Sequence, residues 1–272
     1  MKSCTVNLHN PFLKTMKWID THAHLYLSDF SSDIPALVDR AKKQNVYKMM
    51  LPNIDLESFS KMMELTKSYP EYFFPMIGLH PCDVRDDWGS ILDQLRNHFS
   101  PNTFIAVGET GIDMHWDTST LDIQKLAFKQ QIQWAKEWNL PIIIHARKST
   151  SIILDIIESE MSSNLSGIFH CFSGNEKEAE RVNALKSFKF GIGGSVTYKN
   201  SELPQILKKI PITSVVLETD SPFLPPVPHR GKRNESSYIP IIGEAISNIY
   251  QIPIEKVAAI TTQNALEIFK LA

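Results

Sequence analysis

Only three cysteines, Cys4, Cys82 and Cys171, occur among 272 residues, an odd number without metal-type spacing. A disulfide framework is thereby excluded, and a reducing compartment, with the cytoplasm as default, is the expectation. No apolar run approaches the roughly 20 residues of a membrane span, and Met1 to Lys17 lacks the continuous apolar stretch of a signal peptide. Charge of one sign is also missing. Against 30 acidic residues stand 28 basic ones, a net charge of -2, so the total does not advertise a membrane surface or a nucleic-acid-wrapping protein. An anionic substrate stays open, because a buried dication supplies local positive charge that a residue count misses. There is no Gly-rich phosphate loop after the first strand-like segment, no linker, no internal repeat and no low-complexity tract. With 43% apolar and 21% charged residues the chain is an ordinary globular protein, long enough for one large domain if that domain is a barrel.

What is present is alternation. Strand-like segments end near Asp20, Asn53, Leu79, Glu109, His145, His170, Gly193 and Leu217. Helical periodicity fills the intervals at Ile34–Gln44, Leu56–Ser68, Trp88–His98, Leu121–Trp138, Ser149–Glu160, Glu176–Lys186 and Ser201–Lys209, and then Glu235–Tyr250 and Ile254–Leu271. Asn175, Ser201 and Pro253 read as helix starts. Eight strand-helix repeats predict an α/β fold, a (β/α)8 TIM-type barrel spanning 16–272 as a single domain, with its site at the C-terminal face of the strands. An open doubly wound sheet is the rival, but it would hold the polar strand ends too far apart to meet. Residues 1–15 are expected to be a disordered, dispensable extension, with Met16 directly before the first strand.

Six potential metal ligands close these apolar segments: His22 and His24, Glu109, His145, His170 and Asp220. A core has no packing reason to end one buried strand after another in such groups. Residues i and i+2 of a strand face the same way, so His22 and His24 are spaced to share a cation. Imidazole plus carboxylate suits zinc, manganese, nickel or iron, and two carboxylates among six ligands suit two divalent ions. Two such ions activate water and stabilise a leaving oxygen, which makes hydrolysis the economical reading. Glu109 is expected to bridge, with His22, His24 and Asp220 on one ion and His145 and His170 on the other. Asp220 is also placed to orient or deprotonate the attacking water; alone it would read as a turn aspartate before Ser221-Pro222.

Around these ligands, parity puts Asp20 on the inward face of His22 and His24, and Glu218 on that of Asp220, one layer deeper, as outer partners that orient the ligands. Arg147, two residues after His145, and Lys232 and Arg233, after the stiff loop Ser221–His229, are candidate phosphate contacts. A solvated surface cluster is the other reading for Lys232 and Arg233. His80, in Gly78-Leu-His-Pro81, is either a substrate donor or a plain loop histidine. Cys171 is expected to face away from His170 as packing, and His9, His98 and His115 to lie on surfaces or helix faces.

These motifs together resemble the TatD family of metal-dependent deoxyribonucleases, in the amidohydrolase-like barrel superfamily. The resemblance rests on Asp20-Thr-His-Ala-His-Leu25, Gly78-Leu-His-Pro81, Val107-Gly-Glu-Thr-Gly-Ile-Asp113, His145-Ala-Arg147, His170-Cys-Phe-Ser-Gly174, Leu217-Glu-Thr-Asp-Ser-Pro222 and Arg230-Gly-Lys-Arg-Asn-Glu235, and runs from Trp18 to Ala272. It implies a TIM-type barrel, two divalent metal ions (magnesium, manganese or zinc), and hydrolysis of nucleic-acid phosphodiesters, often from the 3' end. It carries the ligand role onto His22, His24, Glu109, His145, His170 and Asp220, and makes Asp220 and Glu109 the catalytic candidates. Met114-His-Trp-Asp117 departs from the aromatic pair common there. The expected partner is single-stranded DNA ends as substrate, with no membrane and no obligate protein partner. Two other functions compete: an amidohydrolase, lactonase or deacylase acting on a small metabolite, and a non-catalytic metal-stabilised binding scaffold.

Overall fold

Eight short parallel strands carry the fold in the computed structural model, which describes residues 16–271. They are β1 (Trp18–Asp20), β2 (Val46–Leu51), β3 (Phe73–Pro75), β4 (Val107–Asp113), β5 (Ile142–Arg147), β6 (Gly167–Phe169), β7 (Phe188–Ile192) and β8 (Val215–Leu217). The expectations for residues 1–15, His9 included, lie outside the described residues. Ladders join β1-β2-β3 and β4 through β8, and two seams close the circle. At one, Ile77 bridges Val107, with Ile77 N–H donating to Ala106 O at 3.1 Å and Gly108 N–H to Ile77 O at 2.9 Å. At the other, Ala23 bridges Ser221, with Thr21 N–H on Leu217 O at 3.0 Å and His24 N–H on Ser221 O at 2.8 Å. The result is the expected (β/α)8 barrel.

Helices α1 (Ile34–Lys43), α2 (Leu56–Ser68), α3 (Trp88–Asn97), α4 (Leu121–Trp138), α5 (Thr150–Glu160), α6 (Glu176–Ala184) and α7 (Leu203–Leu207) connect the strands, and α8 (Ile239–Tyr250) and α9 (Ile254–Ile268) follow β8. Local chemistry sets their ends. Asn175 and Glu178 form a reciprocal capping box at α6, and Asp55 accepts from Ser58 N–H at the start of α2. The seventh helix is shorter than its periodicity, since Pro204 fits only its first turn. The eighth starts at Ile239, not Glu235, because Ser236–Tyr238 form a 3-10 turn first. No helix among the described residues is long and apolar enough to cross a membrane.

The apolar side chains divide into two clusters. The larger lies between strands and helices and includes Trp18, Ile142, Ile144, Phe169 and Leu217. The smaller unites Ile19, Met50, Met76, Ala106, Ile143, Ile168 and Val216 with Ala265, Ile268 and Phe269 of the α9 end. Side chains from seven strand segments can meet only inside the barrel, so this cluster is its interior, plugged from below by α9. It is also the floor of the site. On β5, β6 and β8 the interior residue and the polar group above it are two apart (Ile143 and His145, Ile168 and His170, Val216 and Glu218), as a strand's period of two requires. On β1 and β4 the step is three, from Ile19 to His22 and from Ala106 to Glu109. In β4 the pairing register shifts between Val107 and Thr110, around Glu109, and past the end of β1 the chain bends at Thr21; such irregularities re-aim a side chain across the sheet.

Candidate metal centre

The six predicted ligands converge above that floor. Glu109 sits at the middle. Its Oε2 is 3.0 Å from His22 Nε2 and 3.4 Å from His24 Nε2. Its Oε1 is 3.0 Å from His145 Nδ1, 3.6 Å from His80 Nε2 and 3.8 Å from His170 Nε2. Asp220 Oδ1 closes the other side, 3.4 Å from His24 Nε2, 3.6 Å from His170 Nε2 and 3.8 Å from His22 Nε2. The two Glu109 oxygens face different histidines, His22 and His24 on one side and His145 on the other, while His170 lies nearer Asp220 than Glu109 and its ring stacks on that of His22 at 3.4 Å.

Several of these groups sit differently along the chain than their spacing implied. Glu109 lies inside β4, which runs on to Asp113, and β5 continues two residues past His145. His22 and His24 follow the end of β1. Their alternation survives because the segment after β1 stays hydrogen-bonded to the segment after β8. Asp220 takes a left-handed φ of 56°, a turn that a short carboxylate tolerates better than most residues.

A divalent cation fits this donor set. His22 Nε2 lies within 3.8 Å of three other donor atoms, His24 Nε2, Glu109 Oε2 and Asp220 Oδ1, and one ring proton cannot serve them all. The site holds more lone pairs than protons, which is what a cation coordinated by N and O ligands satisfies. The ligand atoms of His22, His24 and Glu109, and separately those of His80, Glu109 and His145, all lie within 4.8 Å of one another. Burial alone would raise the Glu109 carboxyl, yet His22, His170 and His80 outweigh it and hold the group well below the usual range. Asp220 is lowered likewise against its burial, by His170 and His24. Both acids are therefore held as carboxylates, the form in which they could take a cation.

Partners outside the six fix the rings. Glu218 Oε1 is 3.0 Å from His170 Nδ1 and accepts from Cys171 N–H, which leaves Nε2 of His170 to the centre. Room for this buried carboxylate comes from Gly191 on the neighbouring strand, where a Cβ would fall 2.4 Å from Glu218 Oε2. Asp113 does the same for His145: its Oδ2 is 2.9 Å from Nε2, leaving Nδ1 toward Glu109. Sequence reasoning assigned Asp113 no role, although its even spacing from Glu109 along β4 was the available signal. Tyr26 was also missed; its hydroxyl stands 3.1 Å from His24 Nδ1 and donates to Pro52 O at 2.6 Å.

Three expectations need correction. Asp20 does not share the inward face of His22, because the chain bends at Thr21 between them and leaves Asp20 on the helical side with Trp18. There it accepts from Thr219 N–H at 2.9 Å, Thr219 Oγ1 at 2.6 Å and His22 N–H at 3.3 Å, clipping the two ligand-bearing segments together through their backbones. Burial raises its carboxyl to about 6 in spite of those bonds. Arg233 is not free to hold phosphate: it grips both Asp33 carboxylate oxygens, at 2.8 and 2.7 Å, and does not line the mouth. Cys171 does not face away. Its φ of 42° turns it to the mouth, where burial pushes its thiol up and His170 opposes only in part.

The mouth itself is a cavity of about 820 Å³ lined by His24, Glu109, His145, His170 and Asp220 at its base, and by His80, Arg147 and Lys232 higher up. His80 accepts from Cys82 N–H at Nδ1, so its ring proton sits on Nε2 and points to Glu109 and His145 as a donor. Arg147 lies with its guanidinium 5.4 Å over the Trp116 ring. His98 and His115 are exposed, as expected.

Residues 19–270 match the family model of the TatD related DNases. The chain is 38% identical over 253 residues to the uncharacterized metal-dependent hydrolase YabD of Bacillus subtilis (strain 168), covering 93% of this chain and 98% of that one. In structure it is similar to YjjV, a TatD homologue from Escherichia coli K12, with a TM-score of 0.85 and 27% identity, over 94% of this chain and 98% of that one. A TatD family hydrolase from Entamoeba histolytica shares the fold at a TM-score of 0.80 and 22% identity, over 93% and 98%.

Proposed function

The chain belongs to the TatD-related family of metal-dependent hydrolases, and from that premise we propose that it is a nuclease. Its substrate is nucleic acid, its reaction the hydrolysis of phosphodiester bonds, and its mode removal of nucleotides from the 3' end of single-stranded DNA. One observation carries the reading: the Glu109 carboxylate, whose two oxygens face different histidines, lies beneath a rim bearing Arg147 and Lys232. A donor set that would hold divalent cations, under exposed Arg147 and Lys232, suits a phosphodiester anion better than a neutral amide or lactone.

His22, His24, His145, His170, Glu109 and Asp220 would hold two divalent ions, which when bound polarise the phosphate and favour ionisation of water. The chain's own groups do the rest. Asp220, the acid of the centre nearest the opening, accepts the proton of the attacking water. The Nε2–H of His80 donates to a phosphate oxygen, and Arg147 and Lys232 position the strand. The net charge of -2 offers no long basic footprint, so recognition is short-ranged and its salt dependence shallow, at about 0.7 in log–log slope per phosphate on single strands.

The test is a substrate panel with manganese and magnesium: end-labelled single-stranded, duplex and covalently closed circular DNA, beside N-acyl and lactone compounds. Stepwise loss from single-stranded 3' ends, abolished in Glu109→Ala, is expected. Turnover confined to the acyl or lactone compounds would replace the nuclease by a small-molecule hydrolase. Efficient cutting of closed circles would remove the end-directed mode.

A further inference from the structure

Among the described residues, large apolar side chains exposed to water are few: Trp116 at 71%, Phe223 at 51%, and Leu126, Met161, Leu224 and Val227 at 54% or less. Scattered single residues of this kind need no explanation. These are not scattered. Trp116, Phe223 and Leu224 all line the mouth, and Val227 belongs to the same proline-rich loop as Phe223.

The two rings are placed in the same way. Trp116 stands three residues after Asp113, whose Oδ1 accepts from its N–H at 3.1 Å while Oδ2 holds His145. Phe223 stands three residues after Asp220, whose carbonyl accepts from its N–H at 2.8 Å, and Asn234 Nδ2 donates to the Phe223 carbonyl at 2.6 Å. Each exposed ring is thus tied by its backbone to an acid of the metal centre. One follows β4 and the other β8. In a closed barrel of eight strands those are four apart in either direction, so the two loops that carry the rings stand on opposite sides of the opening.

We propose that Trp116 and Phe223 are base-stacking platforms that hold two nucleotides of a single strand, one on each side of the scissile phosphate. The proposal rests on the nuclease reading above and names the feature of the substrate that the rim selects. Aromatic faces alternating with cations match a strand whose bases alternate with phosphates, and here the Arg147 guanidinium lies over Trp116 with Lys232 on the same rim. Stacking on protein rings needs bases released from a duplex, so the rim favours single strands and frayed ends.

The experiment uses the manganese-loaded enzyme and two oligonucleotides, a thymidine 10-mer and the same strand with abasic residues at its last two 3' positions. Trp116→Ala and Phe223→Ala should each raise KM on the first about 10-fold, the ~1.4 kcal/mol expected of one stacked base, with kcat little changed. Trp116→Phe and Phe223→Tyr should restore most of the loss. On the abasic strand the difference between wild type and variants should close. Unchanged KM in both alanine variants, or an equal loss on the two strands, would overturn the stacking role while leaving the nuclease intact. A wild-type enzyme that cleaves neither strand would instead remove the nuclease reading, and this proposal with it.

Discussion

Gly191→Ala tests whether Glu218 governs the metal centre from behind. The new Cβ would lie 2.4 Å from Glu218 Oε2 and 2.7 Å from its Cδ, about 1 Å inside the 3.4 Å at which ordinary contact begins. Backbone atoms of β7 are held by ladders to β6 and β8, so the carboxylate must give way. A displacement of that size lengthens the 3.0 Å contact between Oε1 and His170 Nδ1 to about 4 Å and weakens their charge pairing. Loss of such an outer partner typically costs 10- to 100-fold in metal affinity, or ~1.4–2.7 kcal/mol. The overpacking should also cost about 1–3 kcal/mol of folding stability. Competition with a chromophoric chelator gives the affinity, urea unfolding gives the stability, and turnover at saturating manganese separates weak loading from a damaged site. Glu218→Gln serves as the companion, since it keeps the shape and removes the charge. If both variants bind manganese within twofold of wild type, Glu218 does not tune the centre and the reasoning fails.

The remaining predictions follow from the same geometry. Manganese at about 100 times its Kd should stabilise the fold by about 2.7 kcal/mol, and a thermal scan showing no shift with manganese, magnesium or zinc would contradict the cation site. Arg147→Ala and Lys232→Ala should each lower kcat/KM on single-stranded DNA about 10-fold. Arg233→Ala should leave kcat/KM unchanged yet lower the Tm by about 2–4 °C, as expected if its pairing with Asp33 contributes ~1 kcal/mol; steady-state kinetics beside calorimetry would show the reverse if Arg233 held substrate. Arg233, and against burial Arg40, hold the Asp33 carboxyl down at about 2. That folded value lies below the ordinary 3.8, so the pair's stabilisation is present above about pH 4 and lost as pH falls toward 2. Urea unfolding should accordingly separate wild type from Asp33→Asn at about pH 5 and bring them together near pH 2; a gap that persists at the lower pH would refute the linkage.

Much of this protein was legible in one dimension because its information is local and repeated. Apolar runs of strand length alternating with helical periodicity specify eight parallel crossovers, and a polar ligand type recurring where those runs stop marks one end of the barrel as the site. Hence His22, His24, Glu109, His145, His170 and Asp220 could be named before any coordinates. Other assignments depended on what the chain meets far away in sequence. Parity misplaced Asp20, because a bend at Thr21, just past β1, breaks the period of two, and no local pattern announces such a bend. Arg233 looked as available as Lys232 until α1 brought Asp33 against it, 200 residues distant. Asp113 gained its role only when β5 laid His145 beside β4. The opposition of the loops bearing Trp116 and Phe223 exists only after closure, since nothing in a linear chain says that strands four and eight stand on opposite sides of a barrel. Side-chain type and period are written residue by residue, whereas which lone pair meets which proton is decided by the packing of distant segments.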